Sequence, residues 1–77
     1  MLTVWERPKR WSGYTLGVDT AEGLGHGDYS CVQVIDVKEG RQVAIWHGRI
    51  PPDELAYEVY NLGVWYGNAL CCVESNN

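Results

Sequence analysis

A proline pair, Pro51-Pro52, divides this chain of 77 residues. Proline has no backbone N–H to give to a sheet ladder, so strand character must end there. Before the pair the sequence reads as strands. Tyr14–Asp19 is a short run of β-favouring residues, Ser30–Asp36 a second, and Gln42–Ile50 a third. The turn Lys38-Glu39-Gly40-Arg41 joins the last two as a hairpin. In the third run, Val43, Ile45 and His47 are expected on one face, with Ala44 and Trp46 on the other. After the prolines the period changes. Asp53 and Glu54 place negative charge where a helix N-terminus favours it. Leu55, Val59, Leu62 and Tyr66 then recur on one helical face. Gly67-Asn68 is a stop signal. The continuous apolar run Ala69–Glu74 suits a strand buried on both faces.

The order is therefore β-β-β-α-β, an α/β arrangement on a mixed sheet. The helix carries the chain across so that the last strand lies parallel to the first. Residues 1–13 read as a lead-in segment or linker, because Pro8 and Gly13 break periodicity and charges cluster there. Residues 14–77 form the domain, or part of one.

Composition narrows the classes of function. A hydrophobic share of 45% with 21% charged residues belongs to a globular chain rather than a disordered one. No apolar run approaches the roughly 20 residues of a membrane span, and no apolar segment follows the N-terminal charges as in a secretory signal. The first ten residues carry a net +2, so the remainder carries −6 of the overall −4. So acidic a body attracts nucleic acid poorly unless cations offset its carboxylates. Cys31, Cys71 and Cys72 form no CxxC pair and suggest neither a disulfide framework nor zinc. In apolar runs they read as small reduced hydrophobes.

The chemistry rests on two acids. Asp19 and Glu74 each end a strand, and the two strands are expected to be parallel neighbours. Strands lie about 4.8 Å apart, so both carboxylates would emerge at one edge and share a divalent ion. Mg²⁺ or Mn²⁺ takes such oxygen ligands, and two ions about 3.5–4 Å apart serve phosphodiester cleavage.

The surrounding residues carry a resemblance. Tyr14-Thr15-Leu16-Gly17-Val18-Asp19-Thr20-Ala21-Glu22-Gly23, continued by Gly27-Asp28-Tyr29-Ser30, resembles the first motif of the nuclease domain of tailed-phage terminase large subunits. Val73-Glu74-Ser75-Asn76-Asn77 resembles that family's second acidic motif, and Trp5-Glu6-Arg7-Pro8 the linker before the domain. The resemblance implies an RNase H-like fold, incomplete here and truncated after the fourth strand. It implies a metal-dependent endonuclease with Asp19 and Glu74 as catalytic metal ligands for Mg²⁺ or Mn²⁺. The substrate would be concatemeric double-stranded DNA in the cytoplasm of a bacterial host. In the full protein the partners would be an ATPase motor domain, the portal and the small terminase subunit. The family's third acidic residue lies beyond the second motif and has no counterpart before Asn77, and no P-loop is present, so this piece is expected to be inactive alone.

Other residues have structural readings beside functional ones. Asp28 either approaches the metal or orients the loop by an Asx-type bond. Asn76 either positions a ligand or caps a turn. Gly23, Gly25 and Gly27 are permissive turn residues rather than a phosphate cradle, since no helix follows them. His26 reads as an exposed loop residue and His47 as a structural one. Ser30 has no triad to serve. Trp46, Tyr57, Tyr60, Trp65 and Tyr66 are expected to pack in the core or over the sheet. Two rival functions stand beside the nuclease: an actin-like or sugar-kinase-type ATPase, which shares the β-β-β-α-β start, and a non-catalytic prophage remnant.

Overall fold

The computed structural model describes residues 1–21 and 29–75. Five strands and one helix follow in the order β1 (Leu2–Val4), β2 (Tyr14–Ala21), β3 (Tyr29–Asp36), β4 (Arg41–Arg49), α1 (Pro52–Trp65) and β5 (Leu70–Ser75). They make one mixed sheet of order β1-β4-β3-β2-β5. β2, β3, β4 and β1 pair antiparallel, while β5 lies parallel to β2. Residues 14–75 thus keep the expected β-β-β-α-β order and the expected parallel pair. The strand Leu2–Val4 was not anticipated, and it lengthens the sheet by one edge.

Alternation in β2 and β3 turns Tyr14, Leu16, Val18, Val32 and Val34 towards α1, where all are buried. The helix answers with the face its sequence period specified: Leu55, Leu62 and Tyr66 are buried and Val59 packs against them. Pro52 occupies the first turn, where its missing N–H costs nothing, and Asp53 and Glu54 follow. Gly67 (φ +75°) and Asn68 (φ +58°) then turn left-handed. The Ala69 N–H reaches back to the Gly63 carbonyl at 3.0 Å and closes the helix end.

Three expectations fail for identifiable reasons. Val43 does not share a face with Ile45 and His47. Val34 pairs with Ala44 but Ile35 pairs with Gln42, so Val43 is the extra residue of a β-bulge, and Val43 and Ala44 are both fully buried. Nor is the run Ala69–Glu74 buried on both faces. β5 is an edge strand, and Leu70, Cys71 and Cys72 are exposed. Of the aromatics expected to pack, Trp46 and Tyr66 are buried, whereas Tyr57, Tyr60 and Trp65 are exposed because they lie off the Leu55–Leu62 face.

The bulge has a structural use. The Val43 carbonyl accepts hydrogen bonds from both the Trp5 N–H (2.8 Å) and the Glu6 N–H (3.1 Å). The Glu6 carboxylate pairs with the Arg41 guanidinium at 2.6 and 2.9 Å and with Lys9 at 3.3 Å. The bond from Arg41 holds the Glu6 carboxyl below its ordinary pKa. The Tyr66 hydroxyl donates to the Glu6 carbonyl at 2.7 Å, and the Lys9 N–H donates to the Tyr14 hydroxyl at 2.9 Å. The Tyr14 and Tyr66 rings meet edge-on, 4.8 Å apart. Helix end, sheet and lead-in segment are thereby tied at one point.

At the β3–β4 hairpin the buried Asp36 accepts N–H bonds from Lys38 and Glu39 on Oδ1, both at 3.0 Å, and Gly40 supplies the left-handed residue the turn needs (φ +69°). Among the described residues, Asp36 Oδ2 and Ser30 Oγ are buried without a hydrogen-bond partner.

Burial pushes the Tyr66 hydroxyl from 10.0 up to about 12, helped by the charges of Tyr14 and Glu6. The unfolded tyrosine ionises first as pH rises. The contribution of this group to stability is therefore fully present below pH 10 and is lost as pH climbs towards 12. Tyr66→Phe is expected to cost about 1 kcal/mol near neutral pH, through the lost bond to Glu6. It is also expected to flatten the fall in stability between pH 10 and 12. Urea unfolding of both chains at pH 8 and pH 11 tests this, and a gap between them that does not narrow with pH would contradict it.

Candidate functional site

β2 and β5 are held in a single register. Thr15 faces Leu70, Gly17 faces Cys72, and Asp19 faces Glu74. A parallel ladder sends both strands in one direction, so the two acid-bearing positions stand side by side at the carboxyl end. The Thr15 hydroxyl donates to the Leu70 carbonyl at 3.0 Å and pins the start of β5. A one-residue slip there would move position 74 to the other face of the sheet.

Alternation puts Asp19 opposite in sense to the buried Leu16 and Val18. It is exposed, on the sheet face that α1 leaves uncovered. This face carries Thr15, Gly17, Cys31, Gln33, Ile35, Ile45 and His47, which are exposed or half-buried. An apolar groove of about 550 Å³ lies on the opposite side, between α1 and the β2–β5 edge, with Leu55, Val59, Val64 and Cys71 in its wall. It does not share a face with Asp19.

Ser30 is buried on the helix side. Asp28, His26 and Asn76 lie outside the described residues, as do the three loop glycines. His47 has two parts. Its backbone is structural: its N–H donates to the Met1 carbonyl at 3.0 Å and its carbonyl accepts from the N-terminal ammonium at 2.7 Å. Its ring lies with Tyr29, whose hydroxyl is 3.2 Å from Nδ1, and the Arg49 guanidinium sits 6.0 Å from the Tyr29 ring centre. Tyr29 and Arg49 were given no role from sequence. The same alternation that puts the half-buried Cys31 on the acid-bearing face assigns them to it, two residues further along.

The donor set suits a hard cation. One or two carboxylates beside open solvent are what Mg²⁺ or Mn²⁺ commonly takes from a protein. Among the described residues, no group of three or more His, Cys, Asp and Glu side chains converges on a common point.

Two comparisons find nothing: no protein-family model and no curated protein matches this chain. A solved structure does. The large terminase nuclease from the thermophilic phage G20c superposes with a TM-score of 0.81 at 20% identity, over 94% of this chain and 38% of that one.

Because Thr15 anchors β5, Thr15→Val is expected to cost about 1 kcal/mol. Amide exchange should rise in residues 70–75 and stay unchanged in β3. Uniform acceleration across the whole sheet would count against this local role.

The five-stranded sheet with one covering helix thus has an RNase H-like fold class, the one seen in the matching 38% of that solved structure.

Proposed function

We propose that this chain is part of the metal-dependent endonuclease domain of a phage DNA-packaging terminase large subunit, cutting double-stranded DNA by phosphodiester hydrolysis. One observation carries the reading: the parallel register that sets Asp19 beside Glu74, in a fold shared with a terminase nuclease. The chain spans 38% of that nuclease, so activity, DNA substrate and packaging partners belong to the proposal.

Asp19 and Glu74 are the residues that would hold Mg²⁺ or Mn²⁺. When bound, such ions activate water and neutralise the leaving oxygen in phosphodiester cleavage, in pairs in the two-ion mechanism. The chain's own contribution is positional. The ladder fixes the spacing of the two positions, and the uncovered face leaves room for a bulky polyanion. Asp28 and Asn76 are supporting candidates from sequence. Two carboxylates make a weak ion site, so the isolated chain is expected to bind Mn²⁺ without cleaving DNA.

Titration with Mn²⁺ tests the site. Asp19→Asn and Glu74→Gln should each weaken binding at least tenfold while leaving the far-ultraviolet circular dichroism unchanged. Equal affinity in all three chains would sink the shared site, and a folded wild type that binds no Mn²⁺ would favour a non-catalytic remnant. Plasmid cleavage by the wild-type chain with Mn²⁺, lost in Asp19→Ala, would overturn the expectation of inactivity.

A further inference from the structure

We propose that Tyr29, His47 and Arg49 form a phosphate-contacting patch that seats the DNA backbone beside the acid pair. This rests on the nuclease reading and adds substrate-contacting residues to it.

Registers across the sheet give the layout. Glu74 pairs with Asp19, Asp19 with Cys31, and Cys31 with His47, which makes one transverse row over four strands. Ala21, Tyr29 and Arg49 form the next row on the same face, towards the same end. With strands about 4.8 Å apart, His47 stands two strands and about 10 Å from Asp19 at backbone level. Projected on the helix axis, that distance is about three nucleotide steps of one DNA strand, at about 3.4 Å of rise each. A backbone lying across the rows would have one phosphate at the acids and another at the patch.

The charges single out this patch. Between residues 11 and 77 the chain has only Lys38, Arg41 and Arg49 as strong cations. Lys38 and Arg41 sit at the β3–β4 hairpin, at the opposite end of the sheet, and Arg41 is bound to Glu6. Of these three, Arg49 alone lies at the acid end, where the N-terminal ammonium also rests on the His47 carbonyl. Among the described residues it forms no ion pair, and it rests against the exposed Tyr29 ring. Arginine is suited to phosphate because its planar fork offers several donors. The histidine is pre-oriented as well. The Tyr29 hydroxyl lies 3.2 Å from its Nδ1, and this contact orients the imidazole on the sheet face.

The test is anisotropy of a labelled DNA duplex across a salt series, with Mn²⁺ affinity measured on the same samples. The wild-type chain is expected to bind more weakly as salt rises. Arg49→Ala should weaken binding about fivefold or more and reduce the slope of log K against log salt by about 1, as for one lost phosphate contact. Arg49→Lys should restore the slope, and His47→Ala should weaken binding less. Mn²⁺ affinity should not change in any of the three. Unchanged DNA affinity and slope in both alanine variants overturns the patch, as does a wild type that binds Mn²⁺ but no DNA; both leave the metal site standing. DNA binding lost in Arg49→Ala by a chain that never binds Mn²⁺ supports the patch and removes the metal reading instead.

Discussion

The parallel ladder between β2 and β5 is the constraint on which the rest depends. Parallel strands cannot be joined by a tight turn, so α1 is the crossover that brings the chain back beside β2. The crossover also covers one face of the sheet and supplies Leu55, Leu62 and Tyr66 to the core. One face is then committed to burial and the other left open. Asp19 lies on the open face because Leu16 and Val18 must lie on the closed one. The acid's exposure thus follows from the same alternation that builds the core.

The far end of the sheet is held by a different device. Inserting Val43 as a bulge turns its carbonyl to two N–H groups of the lead-in segment. Glu6 then meets Arg41 with its side chain and Tyr66 with its carbonyl. The exposed ion pair adds little by itself. The buried tyrosine does more, since it fixes the helix end against β2 through Tyr14 as well as holding the segment. The bulge, the added edge strand and the tyrosine contacts form one unit, and loosening any of them frees the others.

Much of this was legible in the sequence. The helical face, the hairpin and the pairing of the last strand with the first rest on period, turn chemistry and proline placement, all local signals. What was missed depends on partners distant in sequence. Three residues, Leu2–Val4, carry no strand period of their own and are a strand only because β4 offers an edge. The bulge at Val43 leaves hydrophobicity unchanged and is visible only as a register shift. Cys71 and Cys72 have a core-like composition, yet their exposure is set by what lies beside β5. The side-by-side placement of positions 19 and 74 was legible because both acids were read near the ends of parallel strands; β2 and β5 run on past them, to Ala21 and Ser75. Tyr29, His47 and Arg49 were not legible, since only the register reveals that two antiparallel strands deliver them to the same face.

The charge layout bears on how an acidic chain meets a polyanion. A net charge of −4 gives no long-range attraction to DNA. Some of the positive charge is also paired internally, because Lys9 of the lead-in segment and Arg41 of β4 both close on Glu6. What remains must act at short range, where a contact is worth most and salt screens it least. A single arginine next to a pair of acids is poorly placed to attract DNA alone. In the proposed nuclease it would be well placed once a divalent ion offsets the two acids, because the guanidinium would then be the uncompensated charge beside them. On this reading the divalent ion and the arginine act together: the ion removes the repulsion, and the guanidinium fixes where the backbone comes to rest.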